Sequence, residues 1–120
     1  MNEGMASERM ISLETITQSI EHLESVQRKS VRPGDCVIVA TCNSTYSLKA
    51  QEDGSYFVSG GWFDRMSSVP LRVRVNGCTW GGCIINVDIV AAVGLCLEFS
   101  NRVTTSPIRK IVVISKERQN

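Results

Sequence analysis

Residues 34–61 read GDCVIVATCNSTYSLKAQEDGSYFVSGG, and the period of this stretch decides the fold class. Cys36, Ile38, Ala40 and Cys42 fall on one face of an extended chain; Val37, Val39 and Thr41 fall on the other. Both faces are largely apolar, which suits a strand covered on two sides. Tyr46, Leu48 and Ala50 then alternate with Ser47, Lys49 and Gln51. Asp53-Gly54 is a type I′ hairpin signal, Tyr56 to Ser59 is the return strand, and Gly60-Gly61 closes it.

The same period continues toward the C-terminus. Leu71, Val73 and Val75 alternate with Arg72 and Arg74, and Asn76-Gly77 reads as a second hairpin turn. Residues 84–90 read as a strand, with a short helix over 86–92 as the alternative. Val93, Leu95, Leu97 and Phe99 alternate, Ser100-Asn101 turns, 103–106 returns and 110–114 makes a last strand. Gly34-Asp35 before alternating valines is a common opening of SH3-like barrels. The expected fold is therefore mainly β: a small SH3-like or rolled β-barrel of about six to eight short strands.

Upstream the period is different. From Ser12 to about Arg28, Leu13, Ile16, Ile20 and Leu23 recur at helical intervals. Ser12 is placed to cap, Glu14 lies in the first turn, Arg28 and Lys29 lie in the last, and Pro33-Gly34 ends the segment. This predicts one N-terminal amphipathic helix within residues 12–30. It follows a leader at 1–11 and precedes a β domain at 31–115 and a polar tail at 116–120. So narrow a stripe either docks on the domain or forms an oligomer seam with a second copy.

With 120 residues the chain is one domain, and 42% apolar with 21% charged residues excludes a collagenous or wholly disordered protein. Residues 84–99 form the longest apolar-rich stretch, but Asn86, Asp88 and Glu98 interrupt it, so it is no membrane span. The first fifteen residues lack the apolar block of a signal peptide, which makes the cytoplasm the expected compartment. A net charge of +1 argues against binding through bulk nucleic-acid electrostatics. The charge is nevertheless unevenly spread. Residues 1–35 hold six acids and four bases, whereas 36–120 hold six acids and nine bases.

Catalytic signals are sparse. No nucleophile elbow, phosphate loop, H-E-x-x-H or dinucleotide fingerprint is present, and the one histidine, His22, has no nucleophile tied to it. The five cysteines, Cys36, Cys42, Cys78, Cys83 and Cys96, lack the tight pairing of a zinc site and read as reduced, small apolar residues. No metal and no cofactor is expected. Asp88, an acid inside an apolar run, is a catalytic carboxylate, a helix-start residue or a solvent-facing strand residue. Asn43-Ser44-Thr45 reads as a turn, and the hydroxyls of Thr104, Thr105 and Ser106 either cap backbone groups or hold a ligand oxygen.

Trp62, Phe63 and Trp80 stand beside glycine pairs, with Arg65, Arg72, Arg74 and Arg102 elsewhere in the same half of the chain. Aromatics and arginines in this combination suit a platform on which single-stranded nucleic acid stacks. The plainer alternative has the tryptophans plugging the ends of a barrel.

Taken together, Gly34-Asp35-x-Val37, Thr41-x-Asn43-Ser44-x-Tyr46, Ser59-Gly60-Gly61 and Thr104-Thr105-Ser106-Pro107 resemble a pattern found in a family of small bacterial proteins of uncharacterised activity. The likeness spans about residues 31–114; the N-terminal helix and the cysteines lie outside it. It implies a compact, mostly β domain in the bacterial cytosol, and no reaction.

The sequence thus leads to a non-enzymatic binding module that forms homo-oligomers and takes a protein partner or small ligand, with no membrane. The rivals are a single-stranded nucleic-acid-binding barrel and a small enzyme centred on Asp88 or a cysteine.

Overall fold

A computed structural model describes residues 22–67, 69–79 and 85–119. Within them the chain forms eleven short strands: β1 (His22–Leu23), β2 (Ser25–Gln27), β3 (Cys36–Thr41), β4 (Thr45–Ala50), β5 (Tyr56–Ser59), β6 (Leu71–Val73), β7 (Val75–Thr79), β8 (Ile85–Asn86), β9 (Ile89–Ala92), β10 (Cys96–Phe99) and β11 (Ile108–Ile114). A six-residue helix, α1 (Gly61–Met66), and two 3-10 turns at Arg28–Ser30 and Lys116–Arg118 complete the described elements.

The mainly β reading of residues 34–61 holds. β3, β4 and β5 pair antiparallel in sequence order inside a six-stranded sheet of order β1-β11-β3-β4-β5-β6. Its alternation sets the two faces. Val37, Val39, Leu48, Val58 and Ile111 point inward and are fully buried. Each such aliphatic side chain contributes roughly 1.5–3 kcal/mol relative to exposure. Cys36, Ile38 and Ala40 point outward and are half-buried.

Two smaller sheets, β10-β7-β8 and β2-β9, supply the other side of the core. An aromatic cluster ties the layers together. The Phe63 ring of α1 meets Phe99 of β10 edge-on at 4.9 Å and Tyr46 of β4 at 6.3 Å.

The turns depart from expectation in instructive ways. The β4–β5 loop is five residues long, with Gly54 alone at positive φ (86°), so the tight I′ turn does not form. Instead Gly54 N–H donates to the Gln51 carbonyl and Gln51 N–H to that of Ser55. Asn76-Gly77 is no turn at all, since both residues lie inside β7. Gly77 has φ 143°, and a Cβ there would collide with the Asn86 carbonyl of β8. Glycine serves close strand approach here. The break between strands comes two residues earlier, at Arg74, where the chain leaves the six-stranded sheet for the three-stranded one.

That sheet switch is also why a continuous barrel is not seen. The six-stranded sheet ends at β1 and β6, and no ladder closes it among the described residues.

The C-terminal end of the predicted helix is corrected. His22 pairs with Val112, Leu23 with Ile111, Ser25 with Ala92 and Val26 with Ala91, all antiparallel. Open edges of β11 and β9 satisfy the backbone groups that a helix would have satisfied internally, and β-branched Val26 is buried there. Leu13, Ile16 and Ile20 of the expected seam lie outside the described residues; Leu23 lies in a strand.

Candidate functional site

The β4–β5 hairpin register places Lys49 opposite Phe57, and the β5–β6 register places Phe57 opposite Arg72. Residues directly opposite point to the same face, so the three form one row across the outer face of the sheet. Phe57 is 36% exposed, and the Arg72 guanidinium lies 4.9 Å from its ring centroid in cation–π geometry. A groove of about 370 Å³, lined by Ser47, Lys49, Phe57, Ser59 and Pro70, runs along this row.

Arg72 is also tied to the hairpin loop. Its Nη1 donates to Asp53 at 2.9 Å, and Asp53 accepts the Ser55 hydroxyl at 2.6 Å and the Ser55 N–H at 3.0 Å. These bonds from Ser55, with smaller contributions from the Arg72 and Arg74 charges, hold the Asp53 carboxyl down at about 2. Asp53 is therefore ionised at neutral pH and already satisfied.

Two adjoining clefts flank that loop. One, about 440 Å³, is lined by Lys49, Arg72 and Lys116 with Gly34 and Asp53. The other, about 320 Å³, is lined by Arg28, Arg74, Ser55 and Tyr56. Both share Pro33, Ala50, Gln51 and Glu52. Five cations thus meet around one loop with only two acids, Glu52 and Asp53, in the linings. A nearly neutral chain has gathered its charge at one end.

Among the described residues Arg28 is held without a carboxylate. Its Nε donates to the Val87 carbonyl at 2.8 Å, and its Nη2 to those of Val75 at 2.9 Å and Asn76 at 3.4 Å. Carbonyl dipoles orient the guanidinium but leave its full charge in place. Arg74 is exposed, and its backbone is clamped by Ser100 on both sides: its N–H donates to the hydroxyl, and its carbonyl accepts the N–H.

The expected binding residues are divided by this geometry. Arg72 and Arg74 meet at the loop. Arg65 is exposed on α1 and lines neither cleft. Trp62 is half-buried, packed edge-on against Phe63 at 5.2 Å. Phe63 is 1% exposed, which corrects its place in a stacking platform: it is a core residue, because α1 turns it inward onto Phe99. Trp80 lies outside the described residues. Arg28, Lys49, Phe57 and Lys116 were not among the residues singled out by sequence. The Lys49–Phe57 pair was not legible in the sequence: a two-residue turn at Asp53-Gly54 would set Lys49 opposite Val58, and only the five-residue loop shifts the register to Phe57.

The alternative centres are plainer. Asp88 is exposed in the turn between β8 and β9, where its carbonyl accepts the Arg28 N–H. Cys78 is buried, and desolvation pushes its thiol up to about 11, which suppresses the reactive thiolate. Cys36, Cys42, Cys78 and Cys96 are all free, and Cys83 lies outside the described residues. No group of three or more potential metal ligands occurs among the described residues. The Thr105 hydroxyl accepts the Leu97 N–H and donates to the Ser106 carbonyl, so it caps backbone. No helix among the described residues is long and apolar enough to cross a membrane. Comparison with family models, curated proteins and solved structures finds no match to this chain.

Proposed function

We propose that this protein is a non-enzymatic binding module that takes an anionic partner at the cationic end of its six-stranded sheet. The observation that supports this reading is the convergence of Arg28, Lys49, Arg72, Arg74 and Lys116 on two adjoining clefts with two acids between them. Like charges gathered this way repel one another, and an anion relieves the repulsion while gaining charge-assisted hydrogen bonds. The hairpin loop contributes rigidity, because Asp53 is fixed by Ser55 and Arg72 at once.

A second reading, single-stranded nucleic acid, is favoured by the outer row. Lys49, Phe57 and Arg72 combine cations with an accessible ring on an open sheet face, the kind of surface on which bases stack over a charged track. Self-association is a further part of the proposal, through β1 at the sheet edge and the apolar positions Leu13, Ile16 and Ile20 before it. Native mass spectrometry tests it, with a multiple of 13.2 kDa as the expected result. A cytosolic setting belongs to the same reading, supported by four free thiols and the family resemblance.

Titration with pyrophosphate and with a labelled single-stranded oligonucleotide at about 50 mM salt tests the main reading, because screening weakens such contacts steeply at higher salt. Binding of either probe that is lost on Arg72→Ala with Arg74→Ala, one cation from each cleft, supports it. Absence of binding to both probes overturns it.

A further inference from the structure

The two clefts are not equivalent. In the larger one Arg72 is committed to Asp53, so much of its charge is already answered. In the smaller one neither arginine is hydrogen-bonded or ion-paired to a carboxylate among the described residues, and Arg74 reaches Asp53 only through its longer-range charge. Arg28 spends its Nε and both Nη2 hydrogens on the carbonyls of Val87, Val75 and Asn76. Its Nη1 has no acceptor among the described residues. A guanidinium held by three carbonyls has lost its conformational freedom before any ligand arrives, which lowers the entropic cost of binding.

Arg74 lines the same cleft. Its Nη1 lies 3.2 Å from where a Cβ at Gly54 would be, so the guanidinium rests over the hairpin loop. Tyr56 also lines the cleft. Burial raises the Tyr56 phenol above its ordinary range, although the Arg28 charge pulls the other way, so the hydroxyl is a neutral donor at physiological pH. The carboxylate of Glu52, also in the lining, is exposed at the rim. A volume of about 320 Å³ accommodates one tetrahedral oxyanion with a small substituent, not a long ligand.

We propose that the cleft between Arg28 and Arg74 seats a terminal phosphate dianion, gripped by the two guanidinium groups and a hydrogen bond from the Tyr56 hydroxyl. The inference rests on the anion-binding reading above and sharpens it. A guanidinium fork matches two phosphate oxygens, and a dianion gains from two cations at once, whereas a carboxylate or sulfate-like monoester gains from one charge less. Such a group is supplied either by a small phosphomonoester or by the phosphorylated end of a nucleic-acid strand.

Isothermal titration of the full chain with pyrophosphate at about 50 mM salt, alongside Arg74→Ala, Tyr56→Phe and the control Lys110→Ala, tests it. The expected result is a loss of roughly 10-fold or more for Arg74→Ala and a smaller loss for Tyr56→Phe, since bonds to charged groups are the strong ones. Lys110→Ala, an exposed cation of β11 that lines neither cleft, leaves pyrophosphate affinity near that of the wild type. Arg28→Lys keeps the charge but loses the fork, and a variant that folds by circular dichroism yet binds weakly supports the seat. Oligonucleotides with a 5′-phosphate and a 5′-hydroxyl separate the sources. A preference for the phosphorylated end that Arg74→Ala removes identifies a strand end, and equal binding of the two identifies a small phosphomonoester. Pyrophosphate binding that ignores Arg74→Ala overturns the inference. So does oligonucleotide binding without pyrophosphate binding, and either outcome leaves the anion-binding reading standing. Failure to bind both probes removes the two together.

Discussion

The carboxylate of Asp35, at the start of β3, accepts the backbone N–H of Lys116 at 3.2 Å across a sequence separation of 81 residues. Its other oxygen accepts the N–H of Arg32 at 3.0 Å. One buried side chain thereby fastens the C-terminal 3-10 turn to the turn that opens the β domain. The Gln119 side chain reinforces the tie by donating to the Gly34 carbonyl at 2.6 Å.

Asp35→Ala strands two part-buried backbone donors, and because water reaches them in part each costs toward the low end of the about 1–3 kcal/mol of an unsatisfied buried group. The expected loss is roughly 2–4 kcal/mol in urea unfolding, and Asp35→Asn loses less because its amide oxygen still accepts one bond. A loss below about 0.5 kcal/mol for the alanine variant contradicts the fastening role.

Gly77 decides whether β8 can lie against β7. An alanine there faces both an unfavourable φ and the Asn86 carbonyl. Gly77→Ala is expected to destabilise by about 2–3 kcal/mol or more and to abolish hydrogen-exchange protection across the Cys78–Asn86 pair. Wild-type protection in the variant excludes the close approach.

Phe63 separates the core and platform readings. As a core ring packed on Phe99 and Tyr46, its truncation to alanine costs about 3–5 kcal/mol. Thermal unfolding of Phe63→Ala checks this. A variant as stable as wild type, with oligonucleotide binding alone diminished, restores Phe63 to a surface platform.

Asp53 makes the loop acid-sensitive. Its folded carboxyl is depressed to about 2 from an ordinary 3.8, so the stabilisation is present above the ordinary value and is lost as pH falls from about 4 through 2. Amide shifts of Ser55 and Arg72 followed by NMR are expected to move together in that window, and Asp53→Asn removes the transition. A Ser55 titration centred near 3.8 contradicts the depressed value.

Strand formation in residues 34–61 was legible because alternation, β-branched residues and a loop glycine all point the same way, and β3, β4 and β5 follow. The strand identity of residues 22–27 was hidden. Their periodicity is helical, and only the free edges of β11 and β9, contributed by residues far along the chain, make the extended form the better hydrogen-bonded one. Asn76-Gly77 misled for a related reason: the dipeptide permits a turn, but Gly77 answers to the approach of β8.

The site divides along the same line. Local alternation placed Lys49 and Arg72 on the polar faces of their strands, but the row with Phe57 needed the five-residue loop, since the tight turn expected at Asp53-Gly54 would slip the register by one residue and turn Phe57 to the other face. Tertiary structure alone decided that Arg28 and Lys116, from opposite ends of the described chain, join them. It also turned Phe63 into the core. Alternation is a local property of the backbone, whereas convergence of charge depends on which strands share a sheet and where the chain changes from one sheet to another.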